Sequence, residues 1–320
     1  MDITSFITKE KEYKGLTKLL DEQRSLPRRT PMLMTGLCDG ARTAFIAQLV
    51  ARERKNGMPP AAICVPDEKT ANRLLSALDS ADLNARFYPW RDMIFHNVTA
   101  SHEFEHERLG ALYALRRNEC DAVVFTPDAA LQYTLPPARL DGAVRTIDRD
   151  GDYDVKELCD FLVAAGYRAA DMIDGVGQFS LRGGILDIYP PSLQYPVRVD
   201  FFDTAVDDLS SFDIITQRRF EQLDKVELTP ARELALTQED RGRLADYLGK
   251  RIKQAKTIEQ REALSAELDA VRNSSNLKFA DKYISFVYPE RATLFDYISH
   301  DSLCIEVDRS AVNERMTSYE

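Results

Sequence analysis

The sequence predicts an α/β protein: a parallel-sheet domain of degenerate P-loop, helicase-like type, split by a small inserted α+β domain. Three observations carry this. Short apolar runs alternate with amphipathic helical patterns over residues 31–127, as in a parallel sheet covered by helices. After the Pro136–Pro137 break come short runs of near period-2 alternation with turn residues between them. From about Leu234 helical spacing returns, and an apolar run near residue 304 supplies one more strand. The expected segments are 1–139, with the parallel-sheet pattern, 140–232, the small insertion, and 233–320, where helical spacing returns.

Each element has a local reason. PMLMTGL (31–37) is a short apolar strand candidate, and ARTAFIAQLVARERKNG is a helix with a basic last turn and Gly57 as its stop. AAICVP is the next strand; DEKTANRLLSALDSA follows as a helix opened by acids, which suit the positive end of the helix dipole. ARFYPW and DAVVFTP are further strands, separated by the helix SHEFEHERLGALYALRRN, acidic at its start and basic at its end. In the insertion a helix over Val155–Ala165 ends at Gly166, and GQFSLRGGILDIYP, YPVRVDFFD and KVELTP read as strands. Thr237 and Asp240 form a capping-box-like helix start, and helix continues with interruptions toward Asn273. SLCIEVDRSAVNER is a buried-strand candidate followed by Asp308.

The run GLCDGART begins at Gly36, immediately after a strand candidate, where ligands of parallel sheets usually bind. A phosphate loop reads G-x-x-x-x-G-K-[ST]. Gly36 and Thr43 match and Gly40 lies inside the loop, but Ala41 replaces the second Gly and Arg42 the Lys. Ala41 adds a Cβ where backbone must approach phosphate, Arg42 is a wide planar fork instead of a compact charge, and Asp39 brings negative charge into the cradle. Near the other end, Asp308 sits where a D-E-x-H box begins, but Arg309 takes the Glu position and Ala311 the His position. That Glu activates the attacking water in helicase chemistry. Two defective motifs in the right order read as one dismantled nucleotide site, so neither nucleotide nor any other cofactor is expected.

His102, Glu103 and His106 match H-E-x-x-H, but Leu109 and Leu112 stand where the extended zinc pattern needs Gly and His, so no metal is expected. Trp90 in FYPWRD fits partial core burial better than a binding anchor. Arg28, Arg29, Arg52, Arg54 and Lys55 read as solvated helix ends in preference to a DNA contact. No Ser/His/Asp order stands out.

Hydrophobic residues make up 44% and no apolar run approaches the roughly 18 residues of a membrane span. The start, MDITSFITKEKEY, has no signal-peptide layout. Five cysteines without a C-x-x-C pair suit free thiols in a reducing cytoplasm. The net charge of -10 argues against a nucleic-acid-coating surface, and residues 146–232 hold 9 Lys/Arg against 17 Asp/Glu, about -8 of it. A protein partner with a basic face suits that segment.

Within the insertion, Arg182 and Arg198 lie among apolar residues, with Phe201 and Phe202 close behind. Arg and aromatic residues are the types enriched at interface hot spots. Paired strands could bring both guanidinium groups to one face. The alternative is that the Phe residues enter the core and the Arg residues are solvated or paired with Asp187 or Asp200.

The motifs F-S-x-R-G-G-I-L-D-I-Y-P, V-R-V-D-F-F-D, S-F-D-x-x-T-Q-R and L-T-P-A-R-E resemble the N-terminal part of the bacterial transcription-repair coupling factors, the Mfd family, a part itself similar to the repair protein UvrB. The likeness runs from the loop at Gly36 through HERLGALYALRR to Asp308. It implies an insertion like the second domain of UvrB and a module that has lost ATP hydrolysis but binds UvrA, the damage-recognition subunit. The family's UvrA-binding residues map onto Arg182, Arg198 and Phe202, with Phe201 the nearest alternative if the register differs by one. The resemblance further implies a module of a longer ATP-dependent DNA translocase. The rest of that protein would mask the UvrA surface and would carry the RNA polymerase and DNA contacts. The competing reading is an active UvrB-like ATPase that handles damaged DNA. The stretch FYPWRDMIFHNVTASHEFEHERL lacks the tyrosine-rich hairpin which that role needs.

Overall fold

The computed structural model describes residues 7–91, 103–234, 236–273 and 280–319. In chain order the elements begin with helices α1 (Lys11–Arg24) and α2 (Asp39–Lys55), strand β1 (Ala61–Cys64), α3 (Glu68–Asp79), β2 (Ala85–Tyr88), α4 (Glu103–Arg117) and β3 (Ala122–Phe125). Then come α5 (Pro127–Leu131), α6 (Pro137–Gly142), β4 (Arg145–Asp148), α7 (Val155–Ala164), β5 (Arg168–Ala169), β6 (Gln178–Arg182), β7 (Ile185–Ile188) and β8 (Val197–Phe202). Last are β9 (Ala205–Phe212), β10 (Arg219–Gln222), β11 (Lys225–Leu228), α8 (Gln238–Gln254), α9 (Ile258–Asn273), α10 (Ile284–Val287), β12 (Cys304–Glu306) and α11 (Arg309–Tyr319).

Contacts divide the chain into two compact units. The first comprises Met1–Trp90, Ala114–Leu131 and Tyr297–Glu320. It holds a four-stranded sheet of order β12-β1-β3-β2, parallel throughout. The two central strands, AAIC and AVVF, are almost wholly buried, as expected of parallel strands covered on both faces. α2 is buried on two sides. Ile46, Ala47 and Val50 join the sheet core, while Phe45 and Leu49 pack with Tyr13 of α1.

Two expectations fail in this unit. PMLMTGL does not form a strand: residues 31–37 make no ladder, and Leu33 is 86% exposed. Pro31 lacks an N–H, and only Met34 and Leu37 pack, on the small cluster around Tyr13 and Phe45. The strand expected near residue 304 forms, as β12 paired with β1, but it is an exposed edge strand, not a buried one. Of the five basic residues read as solvated helix ends, three are engaged, Arg29 with Asp301, Arg52 with Asp21 and Glu53, and Arg54 with Asp121, while Arg28 and Lys55 are exposed. Trp90 is half-buried.

Burial pushes the Cys120 thiol up to about 12. It does the same for Cys64, where the Glu306 and Asp128 charges add to the effect. Cys38 is exposed. At neutral pH a maleimide should therefore label Cys38 in the folded protein, and Cys64 and Cys120 only after unfolding, as peptide mass spectrometry would show.

The second unit comprises Arg91–Tyr113 and Gln132–Asp296. Its main sheet has six strands in the order β10-β9-β8-β7-β6-β5. All pairs are antiparallel except β5–β6, so the sheet is mixed where an antiparallel one was expected. Leu158 and Leu162 of α7, Phe179, Leu186, Ile188, Val197, Val199 and Leu209 form one core with Ile147, Val226 and Leu228 of the β4–β11 pair. The period-2 alternation of β6 to β9 puts these residues on one face and leaves the other polar.

The capping box at the start of α8 is formed. The Thr237 hydroxyl accepts from the Asp240 N–H, and the Asp240 carboxylate accepts from the Thr237 N–H. Burial would raise the Asp240 carboxyl, but the Thr237 and Arg243 bonds and the Arg139 charge outweigh it and hold it below the ordinary value. Its folded pKa is thus depressed, so this stabilisation is full above about pH 4 and is lost as pH falls through the folded value. Thr237→Ala should cost about 1 kcal/mol in denaturant unfolding at neutral pH.

Candidate functional site

The polar face of the six-stranded sheet is built by register. Strand β7 lies between β6 and β8, with Asp187 opposite Ser180 on one side and Arg198 on the other. Arg182 faces Ile185, which in turn faces Asp200. Ile185, Asp187, Arg198 and Asp200 therefore share a face with Arg182. The β6–β7 turn is tight because Gly183 adopts φ +62 and Gly184 approaches the Phe201 carbonyl, which a Cβ would meet at 2.7 Å.

Asp187 is fully buried and holds both arginines. It accepts from Arg198 Nε at 2.6 Å and Nη2 at 2.9 Å, a bidentate pair, and from Arg182 Nη2 at 2.7 Å. Arg198 also donates to the Gln217 side chain at 2.8 Å and lies 4.3 Å from the centre of the Phe212 ring. Its side chain is 12% exposed, whereas that of Arg182 is 45% exposed. Asp200 pairs instead with Arg219, whose fork also takes Asp208.

Just past a register irregularity between Asp200 and Phe201, strand alternation sends the two phenylalanines to opposite faces. Phe201 packs against the core, and Phe202 is 80% exposed. Arg182, Arg198 and Phe202 thus occur on one face, with the exposed Ile185 beside them, and Phe201 turns away. Sequence spacing suggested a shared face for the two arginines. The single carboxylate that ties them together was visible only as one of two candidate partners.

The other candidate site is differently placed. Gly36 has φ +85, but α2 already begins at Asp39, so Gly40, Ala41, Arg42 and Thr43 are helical. The Arg42 N–H donates to the Cys38 carbonyl at 2.9 Å, the Arg42 guanidinium pairs with Asp39, and the Thr43 hydroxyl donates to the Gly40 carbonyl. Asp308 has φ +59 and accepts from the Ala311 N–H at the start of α11; Arg309 beside it is exposed. Among the described residues, no hydrogen bond or ion pair joins this turn to the loop at Gly36.

His102 of the H-E-x-x-H match lies outside the described residues, and no group of three or more metal-ligating side chains occurs among those described. Two residues along, α4 does structural work that sequence reading missed. The Glu105 carboxylate pairs with Arg232 and accepts from the Glu233 N–H at 2.7 Å. The fully buried Arg108 donates to the fully buried Glu233 at 2.5 Å, and Arg91 pairs with Glu233 as well. HERLG and TPARE, more than 100 residues apart, thus meet in one buried charge cluster.

Residues 146–234 match the family model described as the UvrB interaction domain. The chain is 31% identical over 323 residues to the transcription-repair-coupling factor of Bacillus subtilis (strain 168), covering 98% of this chain and 27% of that protein. It is 28% identical over 330 residues to the transcription-repair-coupling factor of Staphylococcus haemolyticus, covering 98% and 26%. The chain thus spans about a quarter of the length of these relatives.

Proposed function

We propose that this relative of the transcription-repair-coupling factors, with its UvrB interaction domain, is a non-catalytic docking module that recruits UvrA in transcription-coupled nucleotide excision repair. The observation that carries this reading is the face that presents Arg182, Ile185 and Phe202 within the matched domain. An exposed cation flanked by exposed apolar groups, on a rigid sheet, is the composition of an interface hot spot.

Residues 1–139 and the return segment 233–320 would then act as a degenerate helicase-like scaffold around the UvrA-binding insertion at 140–232. Loss of catalysis is supported by Arg42, whose N–H and guanidinium are both engaged locally, and by Arg309 in the place of the water-activating carboxylate. The module would need no cofactor and would work in the cytoplasm. The rest of the longer protein would cover the UvrA face at rest and would contact RNA polymerase and DNA. The UvrB-like ATPase reading requires triphosphate binding at 36–43, which calorimetry with ATP and magnesium would detect and this proposal expects to be absent. A pull-down provides the positive test: UvrA should be retained by the wild-type chain and lost with Arg182→Glu/Arg198→Glu. Equal retention by the double variant would sink the proposal.

A further inference from the structure

The two arginines of the polar face are differently equipped to meet a partner. A guanidinium has five N–H donors. Arg198 spends Nε and Nη2 on Asp187, Nη2 again on the Gln217 side chain, and Nη1 on the Gln217 carbonyl at 3.4 Å. Its π-face is covered by the buried Phe212. It therefore has no free edge with which to grip a carboxylate bidentately. Among the described residues Arg182 makes one hydrogen bond, from Nη2 to Asp187, so four of its five donors, Nε–H and both on Nη1 among them, are left for a partner.

Gln217 connects Arg198 to the turn between β9 and β10. That turn is tightly bonded: Asp213 accepts from the Thr216 N–H and hydroxyl, the Gln217 N–H donates to the Asp213 carbonyl at 2.7 Å, and the Gln217 amide donates to the Ile214 carbonyl. It presents Ile215, 87% exposed, at its tip. An apolar side chain held out on a rigid turn costs little ordering entropy on docking.

We propose that Arg198 is a positioning residue: through Asp187 and Gln217 it fixes Arg182 and the Ile215 turn, and Arg182, Phe202 and Ile215 make the contact. The matching partner surface carries a carboxylate for Arg182 between two apolar pockets. The cluster supports this by its charge, since one buried carboxylate against two guanidinium groups leaves one net positive charge, at the exposed Arg182. This rests on UvrA as the partner, and it assigns Arg198 a role that charge reversal alone cannot distinguish from contact.

A rescue experiment on the whole chain separates the two roles. Arg198→Gln should weaken UvrA binding about tenfold or more, as for a hot-spot residue. Adding Asp187→Asn puts a neutral amide pair where the charged pair stood, so the link between β7 and β8 can re-form without a stranded buried charge, and most of that loss should be restored. Arg182→Gln should weaken binding as much and should not be rescued by Asp187→Asn, and Ile215→Ser should also weaken it. A double variant Asp187→Asn/Arg198→Gln as weak as Arg198→Gln alone, or full binding by Ile215→Ser, would overturn the assignment.

NMR of the arginine side chains needs no partner. The Arg198 Nε–H should exchange slowly with solvent and the Arg182 Nε–H quickly. Equal exchange rates would overturn the frame even if UvrA did not bind. Wild-type failure to bind UvrA with the exchange difference intact would instead count against the docking function alone.

Discussion

Glu233→Ala is expected to destabilise the protein by about 3–5 kcal/mol, the cost of removing one member of a buried ion pair. Glu233 and Arg108 are both fully buried, and their contact is a 2.5 Å charge-assisted hydrogen bond. Arg91, 8% exposed, loses the same carboxylate. The substitution removes from the interior the carboxylate that both guanidinium groups share. The Glu233 N–H bond to Glu105 and the Tyr288 hydroxyl bond to the Glu233 carbonyl are backbone bonds, so alanine keeps both. The loss should therefore report the carboxylate itself. Denaturant unfolding should show a lower midpoint with an unchanged slope. Glu233→Gln, which keeps the shape and one acceptor, should lose less. A midpoint for Glu233→Ala within error of wild type would mean that the cluster is not closed in solution.

Asp187→Ala is the second large effect, about 3 kcal/mol or more by the same physics. Asp187 is fully buried and accepts three hydrogen bonds from two guanidinium groups. Arg182 can turn to solvent, but Arg198 cannot do so without leaving Phe212 and Gln217. Most of the penalty should therefore fall on Arg198. Arg198→Ala alone should also destabilise, because it strands the buried carboxylate. The double variant Asp187→Ala/Arg198→Ala should be more stable than the sum of the two single losses implies, by on the order of 1–3 kcal/mol of coupling. Strict additivity would show that the pair is open.

The difference between what the sequence discloses and what it conceals follows from the range of the forces involved. Strands β1 and β3 are legible because parallel strands covered on both faces must be apolar throughout, and AAIC and AVVF are. The polar face is legible in outline because alternation is local: F-S-L-R and V-R-V-D already place Ser180 with Arg182 and Arg198 with Asp200. Strand order is not local. That β7 lies between β6 and β8, so that Asp187 meets both arginines, depends on two connections whose geometry no periodicity reports. The buried cluster is harder still. Glu105 and Arg108 occupy ordinary charged positions on an amphipathic helix, and their partners Arg232 and Glu233 follow a proline far along the chain. Pattern reading assigns such charges to solvent. The failed strand at 31–37 shows the converse error: an apolar run signals burial in general, and Leu33 is exposed.

At 36–43 the departures from the phosphate-loop pattern are legible in the sequence, and the local geometry is not. Ala41 and Arg42 predict a weakened cradle. That α2 starts at Asp39 and draws both residues into its first turn is a feature of the fold.

The measurement that bears most directly on the proposed docking role is an equilibrium titration of purified UvrA against this chain and its Arg182→Glu variant. Arg182 is 45% exposed and Asp187 keeps its bidentate pair with Arg198, so the variant should remain folded, with a midpoint lowered by the loss of the Arg182–Asp187 pair. Saturable binding by the wild type, weakened by about 2 kcal/mol or more in the variant, is the expected result. Absence of wild-type binding, or equal affinities in two equally folded proteins, would contradict it.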